Sequence, residues 1–284
     1  MTKPHQDGET QAQDHDHDRG LAFDLRTLMT RRNGLLAIGF AGLAGYLGFR
    51  GSSGEANATG LAADGSLCIA DPTETAGPFP ADGTNSKDGA KVNALQQSGV
   101  VRTDIRPSFN GLTPVAEGVQ LDLVLTLVTV NAACAPLVGH AIYLWHCDAE
   151  GVYSLYGKTD RNYCRGVGIT GAAGQVTFTT VFPGCYDGRW PHMHFEVFAD
   201  EVAASTGDNS LLISQFALPA DVAQAVYAAV PLYASSVANL ADVSLTSDMV
   251  FSDNTAEQVA AQTMVLSGDI ASGFTATATI GIVI

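Results

Sequence analysis

Val119-Gln120-Leu121-Asp122-Leu123-Val124-Leu125-Thr126-Leu127 is the stretch that decides the fold class. Valine or leucine recurs at every second position, and Gln120, Asp122, Val124 and Thr126 fill the alternate ones. Successive side chains of a strand point to opposite faces, so this stretch is a strand with one continuous apolar face. Comparable period-two runs follow at 140–147, 175–181, 193–198, 211–218 and 274–280, separated by glycine-rich turns. One stretch has helical character: Pro219-Ala220-Asp221 opens it, Val222, Val226 and Val230 recur at four-residue spacing, and Pro231 stops it. The expectation is an all-β chain, a β-sandwich of mixed or antiparallel sheets with long loops and one short helix.

The composition bounds what such a chain can do. Its 284 residues are 46% hydrophobic and only 15% charged, enough apolar material for a substantial core. Against 14 Lys and Arg stand 29 Asp and Glu, a formal net charge of -15, which argues against nucleic acid and acidic lipid as partners. Residues 1–20 are polar, carry His5, His15 and His17 without apolar periodicity, and read as a disordered tail. Thr30-Arg31-Arg32 then precedes a glycine-rich apolar run over 34–49, and Ala56-Asn57-Ala58 offers a small-x-small cleavage pattern. This resembles a twin-arginine export signal, so a periplasmic, secreted or envelope-associated protein without a stable membrane partner after cleavage is expected.

The domain reading follows: tail and signal over 1–58, an extended arm packed on the core over 59–100, and a sandwich catalytic domain over 101–284. Gly and Pro punctuate 61–91 so densely that this part of the arm reads as loop. All five cysteines (Cys68, Cys134, Cys147, Cys164 and Cys185) lie beyond Ala58, where disulfides are permitted. Their pairing stays open, as does the oligomeric state; an exposed sandwich face could pair copies of the chain.

The chemistry concentrates in Phe182-Pro183-Gly184-Cys185-Tyr186-Asp187-Gly188-Arg189-Trp190-Pro191-His192-Met193-His194-Phe195. On a strand His192 and His194 share one face, while Met193 and Phe195 take the other. Two imidazoles alone suit zinc, copper, iron or no metal. Tyr186 on the preceding loop and Tyr153, beyond the 148–151 turn, narrow the choice. A phenol with a solution pKa near 10 binds as phenolate at neutral pH only to a strong Lewis acid, which points to Fe(III). His146 neighbours Trp145 but is not expected to be a ligand, and His140 reads as an edge residue.

At these residues the chain resembles the intradiol ring-cleavage dioxygenases, non-haem iron(III) enzymes that open catechols between the two hydroxyl-bearing carbons. The likeness spans roughly residues 72–218 and is nearest the exported, single-domain members. It includes Thr73-Glu74-Thr75-Ala76-Gly77-Pro78, Val101-Arg102-Thr103-Asp104-Ile105-Arg106, the stretch from Leu144 to Ser154, and Arg165-Gly166-Val167-Gly168-Ile169-Thr170. The resemblance implies Tyr153, Tyr186, His192 and His194 as iron ligands, with Tyr186 the one that leaves when substrate binds. It also implies catalytic roles for Arg189, against the substrate ring, and for Gln215, behind the ligands, beside that of Tyr186. Phe79 departs from the pattern, standing where many relatives carry Tyr. The implied activity is O2-dependent cleavage of a catechol-type diol to a cis,cis-muconate-type diacid. The alternative is a secreted non-catalytic β-sandwich that binds aromatic ligands.

Overall fold

The structure, a computed structural model, describes residues 58–284 apart from Asp208; the tail and twin-arginine-like segment expected within 1–57 lie outside the described residues. β1 (Thr59–Leu61) and β2 (Leu67–Ile69) pair as one hairpin, and β3 (Asp82–Lys87) and β4 (Ala90–Asn93) as another. The stretch read as loop over 61–91 therefore contains regular pairing. Its strands are three to six residues long and set between glycines, too short to show a period.

Two larger sheets make the sandwich. In one, β5 (Gln120–Thr129) pairs parallel with β13 (Gly273–Ile282), and antiparallel with β6 (Ala135–Pro136) and β9 (Gln175–Val181), while β12 (Val265–Asp269) forms the far edge. The other is antiparallel in the order β11-β10-β7-β8, from β7 (Ala141–Trp145), β8 (Arg165–Ile169), β10 (His192–Phe198) and β11 (Leu212–Ala217). Leu121, Leu123, Leu125 and Leu127 are fully buried, as the alternation predicts. They meet Ile142, Leu144, Met193, Phe195 and Phe216 of the other sheet in a single core.

The antiparallel sheet is buried on both faces. Tyr143, Trp145 and Val167 point away from the sandwich core into a second apolar cluster with Ala76, Ala81, Leu95, Phe109, Tyr153 and Tyr156. His192 and His194 share this outer side of β10, so the candidate centre lies outside the sandwich core, beneath chain contributed by the 70–110 and 148–163 regions.

The all-β expectation with a single short helix needs correcting. Four α-helices occur among the described residues: α1 (Glu201–Thr206), α2 (Ala220–Ala229), α3 (Ala234–Ala241) and α4 (Ala256–Gln262). α2 does stop ahead of Pro231, with Val230 extended, and Pro231 opens a separate 3-10 turn, Pro231–Tyr233, that leads into α3. α3 has only eight residues, with Val237 and Leu240 its only large apolar side chains. α4 is started by a capping box, Thr255 accepting from Gln258 N while the Gln258 side chain accepts from Thr255 N.

These helices hold the loop that precedes β10. The Tyr233 hydroxyl accepts from Val119 N at 3.0 Å and donates to Phe182 O at 2.9 Å, and Tyr227 donates to Pro183 O at 2.9 Å. Ser236 accepts from Cys185 N at 2.9 Å, and Asn239 donates to Cys185 O at 2.8 Å. A disulfide joins Cys68 to Cys134, while Cys147, Cys164 and Cys185 are buried free thiols. No helix of the described residues is long and apolar enough to cross a membrane.

Gly184 shows how tightly this loop is packed. A Cβ there would stand 2.7 Å from both Ala149 O and Gly151 N, backbone atoms that cannot swing aside. Gly184→Ala should therefore separate the 182–189 loop from the 148–151 turn and destabilise the fold by about 1–3 kcal/mol, measured by denaturant unfolding.

Candidate metal centre

The four candidate ligands reach the centre by three local devices. β10 supplies His192 and His194 through simple strand alternation. Tyr153 follows a turn organised by buried Asp148, whose Oδ1 accepts from Glu150 N at 3.1 Å and Val152 N at 3.0 Å. The other carboxylate oxygen of Asp148 accepts from Lys158 Nζ and Tyr163 Oη, each at 2.8 Å. Tyr186 comes from the loop held by α2 and α3, and Gly184 N donates to Asp148 O at 2.9 Å, tying the two tyrosine-bearing segments together.

The four side chains converge on one point. Tyr153 Oη lies 3.1 Å from His194 Nε2, 3.3 Å from His192 Nε2 and 3.5 Å from Tyr186 Oη. His192 Nε2 lies 3.2 Å from Tyr186 Oη and 3.1 Å from His194 Nε2. Atoms spaced like this surround a centre about 2 Å from each, the usual length of a metal bond to imidazole nitrogen or oxygen. His192 Nδ1 is 2.5 Å from the Trp190 carbonyl, which can only accept, so Nδ1 carries the proton and the Nε2 lone pair faces the centre. The His194 ring is fixed by stacking on Trp145 instead, with centroids 4.9 Å apart and planes within 7°. Its Nδ1 is buried without a hydrogen-bond partner.

Burial sets the protonation states. It pushes the Tyr153 phenol far above its ordinary value, with the neighbouring Tyr186 adding to the effect. Burial and the Arg189 charge hold His192 well below the ordinary histidine range; His194 is lowered by burial, then by His192 and Arg189. Burial thus favours the neutral form of both imidazoles and of the Tyr153 phenol. Among the described residues no group of three His, Cys, Asp or Glu could hold a metal ion. Two phenolates with two imidazoles would form a hard donor set that suits Fe(III).

The match to solved structures follows the same architecture. Over 76% of this chain and 95% of the other, the structure superposes on an intradiol ring-cleavage dioxygenase from Tetranychus urticae with a TM-score of 0.57 at 23% identity. The chain has the intradiol dioxygenase fold. A second solved dioxygenase gives the same TM-score, identity and coverage. The dioxygenase domain of a carbohydrate-binding fusion protein from Streptomyces sp. SirexAA-E matches with a TM-score of 0.46 at 21% identity, over 76% of this chain and 99% of that one. No protein-family model matches the chain, and no curated protein does.

On this fold the structure brings Tyr153, Tyr186, His192 and His194 together and sets Arg189 and Gln215 against each other. Arg189 is fully buried; its Nη2 donates to Gln215 Oε1 at 2.7 Å, and Gln215 Nε2 donates to Thr75 O at 2.9 Å. Gln215 pairs across the strands with His194. Phe79 is half-buried over Tyr153, with ring centroids 4.9 Å apart. Sequence reasoning missed two acidic residues that shape the site. Asp148 was visible only as part of a turn, and Asp248, which contacts Arg189 Nε at 3.0 Å, carried no local signal.

His146 stands apart from the four donors. Its Nδ1–H donates to Cys147 O and its Nε2 accepts from the Thr180 hydroxyl, each at 2.7 Å, and burial pushes its pKa down to about 4. Above about pH 6.5 the imidazole is neutral in both states; as pH falls toward 4 only the unfolded chain takes up the proton, so the fold progressively loses stability. The full term is about 3 kcal/mol. The stability advantage of the wild type over His146→Gln should therefore shrink between pH 7 and pH 5, as read by denaturant unfolding at each pH.

Proposed function

We propose that this chain is a non-haem iron(III) intradiol dioxygenase that cleaves a catechol-type diol between its hydroxylated carbons, using O2, to a cis,cis-muconate-type diacid. The observation that carries this reading is the meeting of two phenol oxygens and two imidazole nitrogens, five of their six separations being 3.1–3.5 Å, inside an intradiol dioxygenase fold. Bound among them, ferric iron would supply the Lewis acidity that makes phenolate ligation and catechol deprotonation accessible at neutral pH.

The protein side of the chemistry divides by burial. Tyr153 is 3% exposed and packed under Phe79, so it is the phenolate that stays in place. Tyr186 is only half-buried, on a loop, and its Oη is placed to accept a proton from an incoming catechol hydroxyl. The Nδ1–H bond from His192 to Trp190 O keeps its Nε2 directed inward throughout. Arg189, held by Gln215, supplies positive charge to stabilise oxyanion character on the substrate ring. Phe79 shields the Tyr153 edge from water, offering an apolar wall where a hydroxyl would otherwise compete.

Export in a periplasmic, secreted or envelope-associated form is part of the same proposal. It is supported by Arg31-Arg32 ahead of the apolar 34–49 run, and by a Cys68–Cys134 disulfide of the kind that persists in oxidising compartments. Cell fractionation should find the protein outside the cytoplasm and shortened at its amino terminus.

Reaction of the iron-loaded protein with a panel of catechols should consume one O2 per diol and give ring-opened diacids cut between the hydroxyls. Cleavage beside the hydroxyls, or catechol binding with no oxygen uptake, would rule the reading out. Tyr153→Phe and His194→Ala should each lose the tyrosinate-to-iron visible absorption along with turnover; full colour in either variant removes that residue from the ligand set.

A further inference from the structure

Asp248 belongs to neither large sheet and lies 59 residues from Arg189, yet it is wholly buried beside it. We infer that Asp248 is a positioning residue that sets the Arg189 guanidinium and the His192 imidazole at once, an assignment that rests on the ring-cleavage reading of the site. One carboxylate oxygen, Oδ2, accepts from Arg189 Nε at 3.0 Å and from Trp190 N at 2.7 Å. The other, Oδ1, accepts from Val250 N at 2.8 Å and Phe251 N at 3.2 Å, so the carboxylate is itself locked by its own turn.

Trp190 transmits this order to the centre. Its N–H is held by Asp248, its carbonyl accepts the His192 Nδ1–H at 2.5 Å, and its indole Nε1 donates to Leu218 O at 2.9 Å. The direction of the His192 Nε2 lone pair therefore depends on a residue whose position Asp248 sets. On the guanidinium side, Asp248 takes Nε while Gln215 takes Nη2. Two engaged nitrogens of one planar fork fix both its plane and its rotation.

Stability alone is a poor account of this pair. Both side chains are 0% exposed, and removing two charges from water consumes most of what their attraction returns. What the carboxylate provides is direction: it fixes the cation proposed to face substrate and the peptide that orients a proposed ligand. Groups that orient metal ligands typically change metal affinity or activity by about 10–100-fold when altered.

The test compares wild type, Asp248→Asn, the double variant Arg189→Gln/Asp248→Asn, and Asp242→Asn, an exposed control in the same segment. Four readouts are taken: thermal stability, the His192 imidazole 15N shifts in metal-free protein, Fe(III) affinity in competition with nitrilotriacetate, and kcat and KM with catechol. Asp248→Asn should perturb the His192 tautomer signal and weaken Fe(III) binding about 10–100-fold, lowering kcat more than KM. Asp242→Asn should match wild type.

The double variant removes the buried unpaired cation, so it should recover thermal stability while iron affinity and the His192 signal stay perturbed. If it recovers all three, Asp248 is only a counter-ion and the inference is overturned. Unchanged His192 shifts and iron affinity in a folded Asp248→Asn protein overturn it as well. Should Asp248→Asn not fold, the double variant decides. A wild type that does not cleave catechol, with the His192 effect intact, would defeat the ring-cleavage reading and leave the positioning of His192 standing.

Discussion

Two phenol oxygens and two imidazole nitrogens meet inside this protein within about a hydrogen-bond length of one another, and much of the surrounding structure serves that encounter. Three of the four side chains are almost fully removed from water. Lone pairs facing each other in a region of low polarity are unfavourable unless protons or a cation lie between them. Such an arrangement persists only where the scaffold fixes each group independently. The imidazoles are fixed by a strand, one through a hydrogen bond to its own chain and the other by stacking on Trp145. The phenols are fixed by two turns that approach so closely that glycine is required at position 184.

The antiparallel sheet makes this possible because both of its faces are covered. Met193, Phe195 and Val197 anchor β10 in the sandwich core, which leaves His192 and His194 on a face already held rigid from behind. A site on a strand secured in this way loses little precision to loop motion. The chain that covers the outer face carries Phe79 and Tyr156 and joins the same apolar cluster as Tyr153, so the lid over the centre is also part of the core.

The helices after β11 are a buttress more than an appendage. Through Tyr227, Tyr233, Ser236 and Asn239 they make side-chain bonds to Phe182, Pro183 and Cys185, immediately before Tyr186. The turn beyond α3 adds Asp248 against Arg189 and Trp190. Without these helices the tyrosine loop would lose four of its hydrogen bonds and keep those to Val119, Cys147, Asp148, Gln215 and Asp248.

Sequence by itself determined what repeats at short range. The leucines of β5 face the core, β9 spans the residues its alternation marked, and the His-Met-His alternation places both imidazoles on one face. Such features follow from the backbone period of a strand and need no knowledge of distant chain. The short hairpins of 59–93, the alanine-rich α3, the Cys68–Cys134 pairing and the role of Asp248 left no comparable trace. The hairpins and α3 are local but too short to establish a period, whereas the disulfide and Asp248 join residues 66 and 59 positions apart, and no local period or propensity encodes which distant partner a side chain will find. Tyr153 and Tyr186 lay between these cases: their residue types were suggestive in sequence, but only the packing of the 148–151 turn on Gly184 brings their oxygens within 3.5 Å.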